Sequence, residues 1–152
     1  MKKSIPAAIA LSVAIFLSAT ATFTHAEVVK TSPLEDFKAM ANFRMAKCQI
    51  EAILVSAGVG PGLVNGSYPP IDACIVVGKS AVKSLFHEAK AQFSKKPEAS
   101  KLLKEYYILW LTALDSVAPD IGEREVDYEN RKNDKERKLK EAWLRFEIES
   151  EL

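Results

Sequence analysis

Apolar residues recur at helical spacing from Pro97 to Val117 and cover most of the surface of the helix they predict. They form two adjacent stripes: Leu102, Tyr106, Trp110 and Ala113, with Leu103, Tyr107, Leu111 and Leu114 beside them. A helix that is apolar around most of its girth is normally buried by neighbours, because one stripe is enough to dock a helix on one surface. The pattern predicts a central helix sheathed by the rest of a small helical domain.

The segment from Pro33 to about Ser56 predicts the first helix. Ser32 suits the N-cap and Pro33 the first turn, and Glu35 stands where a capping box needs an acid. The apolar positions keep the helical period on one face and on a second face next to it: Leu34, Phe37, Ala41, Cys48, Ala52 and Val55, with Met40, Phe43, Ile50 and Leu54 beside them.

Residues 57 to 70 are rich in glycine and proline, which ends the first helix, and Asn65-Gly66 is a turn signal. Loops of this length are usually functional or mobile. Pro70 then suits the start of a second helix, in which Gly78 permits a close crossing with a neighbour. Its apolar positions also keep the helical period: Ile71, Cys74, Ile75, Val82, Leu85, Phe86, Ala89 and Phe93.

The segment from Ile121 to Leu152 is dense in charges of both signs. A thin apolar seam predicts one long helix lying on the bundle: Tyr128, Leu139, Ala142 or Trp143, and Phe146. Four pairs place the acid four residues before the base, which is the favourable helical order: Asp127 with Arg131, Asp134 with Lys138, Glu136 with Lys140, and Glu141 with Arg145. Asp120 and Glu123 resemble a further capping arrangement. Such a charge run is usually a solvated face, with a partner-binding surface as the alternative.

Two short apolar runs, Ile53 to Val55 and Cys74 to Val77, would also fit buried strands. Both lie inside longer helical patterns, which favours helix. No internal repeat interrupts the pattern. We therefore expect an all-α fold, a single-domain bundle of about four helices.

The N-terminus has the three parts of a secretory signal peptide: two lysines, an apolar run from Ile5 to Leu17, and small or polar residues ending at Ala26. We expect cleavage after Ala26, which leaves residues 27–152 as the helical domain. The alternative is an uncleaved anchor, because Ile5 to Phe23 is nearly long enough to span a bilayer. The pattern favours a bacterial periplasmic or secreted protein without stable membrane insertion after cleavage.

Removing residues 1–26 changes the formal net charge from +1 to −1, because two lysines and no acids are lost. This balance argues against nucleic acid as a partner, since nucleic-acid binding requires a basic face. The remaining chain is long enough for one domain with its own core and needs no structural metal.

The only two cysteines are Cys48 and Cys74. In an oxidising compartment an even pair most simply forms a disulfide, which stabilises by ~3–4 kcal/mol for a loop of this length. A reactive thiol pair is the alternative. The absence of a Cys-x-x-Cys motif argues against it.

Residues 73–80 end in the Gly-Lys-Ser of a phosphate-binding loop, but Ala73 replaces its first glycine. Gly58 to Gly62 likewise fails the dinucleotide fingerprint, because Leu63 takes the place of the third glycine. Only one histidine, His87, follows the signal peptide, and no Gly-x-Ser-x-Gly elbow exists. We therefore expect no catalytic site, no metal site and no cofactor.

Tyr68 differs from the other aromatic residues because it lies in the glycine-rich loop between Ser67 and two prolines. We expect it to be an exposed anchor for a partner, together with Leu63 and Val64. The leading hypothesis is a non-catalytic protein that binds another envelope or secreted protein, as an enzyme inhibitor, toxin-immunity protein or envelope assembly factor. The alternative is a small-ligand or lipid carrier that uses the bundle interior. A cell-wall hydrolase is a third and weaker hypothesis.

Overall fold

The computed structural model describes residues 31–60, 62, 64 and 67–151, so the predicted signal peptide lies outside it. Four helices follow one another: α1 (Pro33–Ser56), α2 (Pro69–Gln92), α3 (Pro97–Leu114) and α4 (Glu125–Glu151). Within the described residues there is no strand beyond one isolated bridge. The predicted all-α bundle is confirmed, and both of the apolar runs that would fit strands are helical. No described helix is long and apolar enough to cross a membrane.

The predicted helix starts are close to the observed ones. The Ser32 hydroxyl accepts the Glu35 amide at 3.2 Å, and the Glu35 carboxylate accepts the Ser32 amide at 2.7 Å, which closes the capping box. Helix α2 begins at Pro69, one residue earlier than predicted, and α3 begins at Pro97 as predicted. A proline in the first turn costs no hydrogen bond there, because that amide has no partner within the helix.

The two apolar stripes of α3 are buried or half-buried, as predicted. The prediction that neighbours sheathe this helix is only partly right, because one face of it is exposed: Lys101, Lys104, Ile108 and Thr112. Helices α1 and α2 pack along each other, α3 packs along α4, and α3 also contacts both α1 and α2. Trp110 is 1% exposed. Its indole N–H donates to the Ala41 carbonyl at 3.0 Å, so the one polar atom of this buried ring is satisfied.

Gly78 allows the close helix crossing that the sequence predicts. A Cβ at this position would lie 3.2 Å from Leu114 Cδ2 and 3.6 Å from Arg44 Cβ, so α1, α2 and α3 converge on it. The Gly-Lys-Ser segment that begins at this glycine lies in the middle of α2. Its backbone amides are used by the helix and do not form a phosphate cradle.

The connection between α3 and α4 corrects the predicted fourth helix start. The Glu123 carboxylate accepts the Asp120 amide at 2.9 Å, as in a capping box. No helix begins there, because Gly122 takes a φ of +76° and turns the chain. Helix α4 begins at Glu125 instead.

Of the four ion pairs predicted on α4, only Asp134 with Lys138 forms, at 2.6 Å. Arg131 binds Glu123 through two hydrogen bonds, of 2.9 and 2.6 Å, instead of Asp127. It also donates to the carbonyls of Ser116 and Ala118 at 3.2 and 3.0 Å. Arg131 therefore ties the start of α4 to the end of α3.

The other three acids of the predicted pairs have different partners. Asp127 pairs with Arg124 just before α4, Glu141 pairs with Arg137 on α4, and Glu136 accepts a hydrogen bond from Gln49 on α1. The predicted apolar seam is nevertheless correct, since Ala142 and Phe146 are buried. Leu139 and Trp143 pack against the core.

Candidate functional site

Cys48 and Cys74 form the predicted disulfide, with their Cα atoms 5.6 Å apart. Cys48 is fully buried, and the bond ties the last turns of α1 to the first turns of α2. A disulfide of this kind is typical of proteins outside the cytoplasm. We refer to residues 50–77, the end of the α1–α2 hairpin with its connecting loop, as the hairpin tip.

The hairpin tip has almost no charge. Glu51 and Asp72 are its only charged residues, and it contains no lysine or arginine. The Asp72 carboxylate accepts a hydrogen bond from the Ser67 hydroxyl, so one of these two charges is engaged within the loop.

The described part of the hairpin tip exposes seven large aliphatic side chains. They are Ile50, Ile53, Leu54, Val59, Val64, Val76 and Val77. Ile53 and Val76 are 66% and 67% exposed, on two different helices. Ile50 and Leu54, which the sequence pattern placed beside the inward face of α1, thus point away from the core. Apolar surface of this kind, gathered in one region, is typical of interaction sites.

The three residues predicted to bind a partner have different surroundings. Val64 is 49% exposed and pairs with Ser67 through hydrogen bonds of 2.9 and 3.0 Å in both directions. Leu63 lies outside the described residues. Tyr68 occupies the N-cap position of α2 and is half-buried against the core, rather than fully exposed. Its ring therefore contributes to the fold as well as to the surface.

A second feature is a cleft of about 400 Å³ between α1 and α4, the α1–α4 cleft. The two helices make no close backbone contact in the described part of the chain, and α3 forms the floor between them. Its apolar lining is Met45, Ala46, Tyr106, Trp110, Leu139, Trp143 and Leu144. The hydrophobic pattern did not predict the cleft, because a pattern shows which residues face inward but not which helices remain apart.

Two polar contacts cross the cleft from α1 to α4. The Lys38 ammonium lies 3.1 Å from the Glu147 carboxylate, and the Gln49 amide donates to Glu136 at 3.3 Å. These contacts are eleven residues apart on both helices, or roughly 16 Å along each antiparallel axis. Glu147 also accepts a hydrogen bond from the Trp143 indole. That bond, together with Lys38, lowers the pKa of Glu147.

Tyr106 is the polar residue in the floor of the cleft. Its side chain is only 5% exposed and packs edge-on against Trp143, with the ring centroids 4.9 Å apart. Its hydroxyl makes no hydrogen bond within the described residues. It is nevertheless not sealed from solvent, because the one described side-chain polar atom that is both sealed and unpaired is Arg44 Nε. Tyr106 lines the cleft. Burial raises the pKa of Tyr106 to about 12, so the hydroxyl remains a donor at neutral pH.

No protein-family model, curated protein or solved structure matches this chain. What the protein does must therefore be inferred from the hairpin tip and the α1–α4 cleft. Neither feature brings together the groups of a metal centre, since the described residues contain no group of three or more His, Cys, Asp or Glu placed to hold an ion.

Proposed function

We propose that this chain is an exported, non-catalytic protein that binds another protein of the bacterial envelope or extracellular space through its hairpin tip. The observation that carries the proposal is the gathering of exposed aliphatic side chains in a segment with only two charges. Leaving aliphatic side chains in water forgoes the burial energy that other residues of this chain gain. A partner that covers them recovers that energy.

A protein partner fits this surface better than a membrane does. Binding to anionic lipid relies on clusters of lysine and arginine, and the hairpin tip has neither residue. Its two charges, Glu51 and Asp72, are both acidic. The complementary surface is thus an apolar depression on another protein, with a neutral or weakly basic rim.

The disulfide supports binding by holding the two helix ends of the tip together. The bond joins α1 to α2 next to Ile50 and Val76. A surface that is already ordered pays less conformational entropy on association. This property suits an inhibitor, an immunity protein or an assembly factor, each of which acts by occupying its partner.

Matched variants test the proposal. The test variant, Ile53→Ser with Val76→Ser, removes two tip side chains that are 66% and 67% exposed. The control, Ile121→Ser with Val126→Ser, makes the same chemical changes beside α4, at side chains that are 67% and 65% exposed. Proteins captured from an envelope extract of the source organism are identified, and the affinity for each is measured with purified proteins by calorimetry.

We expect the control to bind like the unmodified protein and the test variant to bind at least tenfold more weakly. Each lost aliphatic side chain forfeits on the order of 1–2 kcal/mol of burial in the interface. Equal binding by both variants would exclude the tip as the interface. If the unmodified protein captures no partner, protein binding itself is contradicted. Tyr68 is left unchanged, because it packs against the core and its loss would mix stability with binding.

A further inference from the structure

We infer that the α1–α4 cleft is a binding site for a small, neutral, elongated apolar molecule that carries one hydrogen-bond acceptor, such as a long-chain alcohol or ester. The inference is independent of the proposed partner site, because the cleft is formed by α1, α3 and α4 rather than by the hairpin tip. Four observations support it: the size of the cleft, the balance of its charges, the contacts across it, and the Tyr106 hydroxyl.

The size and lining match a small-molecule site. Such sites usually enclose about 300–1,000 Å³ and are mostly apolar, with a few polar groups that fix orientation. The cleft measures about 400 Å³ and has an aromatic floor of Tyr106 and Trp110. Met45 and Leu139 line its sides, so a ligand would contact apolar atoms from three helices.

The charges of the cleft indicate a neutral ligand. Two lysines and two glutamates line it, Lys38, Lys140, Glu136 and Glu147, so their formal charges cancel. Lys38 and Glu147 already pair with each other. An ionised head group would lose hydration without meeting an excess of opposite charge.

The two contacts between α1 and α4 argue for a small molecule rather than a helix of another protein. A partner helix lying along the cleft would have to pass Lys38–Glu147 at one end and Gln49–Glu136 at the other. Both contacts would have to break. An elongated molecule that fits the roughly 16 Å between them leaves both intact.

Tyr106 supplies the polar group that orients the ligand. The hydroxyl has no acceptor among the described residues and is not sealed from solvent, so a ligand oxygen can take the place of a water molecule as its acceptor. The other polar ring atoms are already used, since the indole N–H of Trp110 donates to Ala41 and that of Trp143 to Glu147. Among the ring donors of the cleft, the Tyr106 hydroxyl is therefore the one without an acceptor in the described residues.

The test measures displacement of the neutral fluorescent probe phenylnaphthylamine from the purified protein. Lauryl alcohol, lauric acid and lauryl amine compete in turn, so the three ligands share one chain and differ in charge. We expect the alcohol to compete at least tenfold better than either ion. Preference for an ionised ligand would overturn the proposed ligand class, and no binding of probe or alcohol would overturn the site.

Variants then locate the site. Ala46→Phe fills the cleft from an exposed position on α1, whereas Ala91→Phe makes the same change at an exposed alanine of α2 that does not line the cleft. We expect the first variant to abolish binding and the second to bind normally. Unfolding midpoints check that both variants remain folded. Binding that survives Ala46→Phe would place the ligand elsewhere and contradict the inference.

Tyr106→Phe removes only the hydroxyl. We expect it to weaken binding of lauryl alcohol ~5–10-fold, which corresponds to one hydrogen bond. Binding of phenylnaphthylamine should change less, because its main contribution is apolar contact. An unchanged affinity for the alcohol would exclude Tyr106 as the orienting donor.

Discussion

The hairpin tip and helix α4 are stretches of nearly equal length with opposite surfaces. The 28 residues of the tip include two charged residues, whereas 16 of the 27 residues of α4 are charged. The described part of the tip nevertheless exposes seven large aliphatic side chains, against three on α4: Val126, Leu144 and Ile148. The aliphatic side chains of the tip therefore remain in water although the same chain covers α4 with charge, and the proposed partner site rests on this difference.

The two regions are also held in place by different interactions. The disulfide fixes the tip, together with buried residues such as Ala52 and Ile71. Helix α4 is attached by Phe146, which is fully buried beside Phe93 at a centroid distance of 5.1 Å, and by the Arg131 contacts at its first turns. The stability of the tip therefore depends on redox conditions, and the attachment of the start of α4 depends on the ionisation of its side chains.

The largest effect on stability is expected from removing the disulfide of the hairpin tip. Replacing both cysteines, Cys48→Ala with Cys74→Ala, should lower the free energy of unfolding by ~3–4 kcal/mol, because the unfolded chain regains the entropy of an open loop. Denaturant titration measures the loss. A reductant should shift the unmodified protein by a similar amount and leave the double variant unchanged. Equal midpoints for the two proteins would show that the tip does not depend on its disulfide.

A smaller effect, dependent on pH, is expected at the start of α4. The Arg131 side chain and then the Asp120 amide lower the pKa of Glu123 from 4.5 to about 2 by hydrogen bonding. The folded state thus favours ionised Glu123. The stability gained is complete above pH 4.5 and is lost as the pH falls through about 2.

Glu123→Gln removes this contribution. The variant should be less stable than the unmodified protein at pH 7, and the difference should shrink as the pH falls from 4.5 towards 2. Glu149→Gln is the control, because Glu149 lies near the other end of α4, away from Arg131, and its loss should give no comparable difference. Unfolding midpoints between pH 2 and 7 measure both. If the stability difference for Glu123→Gln stayed constant across this range, the contribution of the Arg131–Glu123 interaction to stability would not depend on the charge of Glu123.

Features that depend on local sequence were predictable. The capping box at Ser32 and the first-turn prolines fix helix starts through interactions within a few residues. The inward-facing residues of α3 follow from its two apolar stripes, and the disulfide follows from an even cysteine pair on inward faces. These features need no knowledge of which helices are neighbours.

Features that depend on tertiary neighbours were not predictable. The i to i+4 rule compares residues within one helix, so it paired Arg131 with Asp127, whereas the long guanidinium reaches Glu123 in the preceding loop. The α1–α4 cleft exists because α3 separates two helices that are far apart in sequence. Similarly, the apolar residues of α1 cover two adjacent faces, and this pattern does not reveal that Ile50 and Leu54 face outward.

The smallest expected effect bears on why the tip is apolar. The double variants Ile53→Ser/Val76→Ser and Ile121→Ser/Val126→Ser should each change the free energy of unfolding by only about 0.5 kcal/mol per substitution or less, because exposed side chains bury little surface in folding. Denaturant titration of both variants at two protein concentrations checks this.

If the tip variant alone lost ~2 kcal/mol or more, its aliphatic side chains would be buried in solution. A loss that grew with protein concentration would identify a second copy of this chain as what covers them. A small, equal change in both variants would instead show that the tip side chains do not stabilise the isolated chain, as the proposed partner site requires.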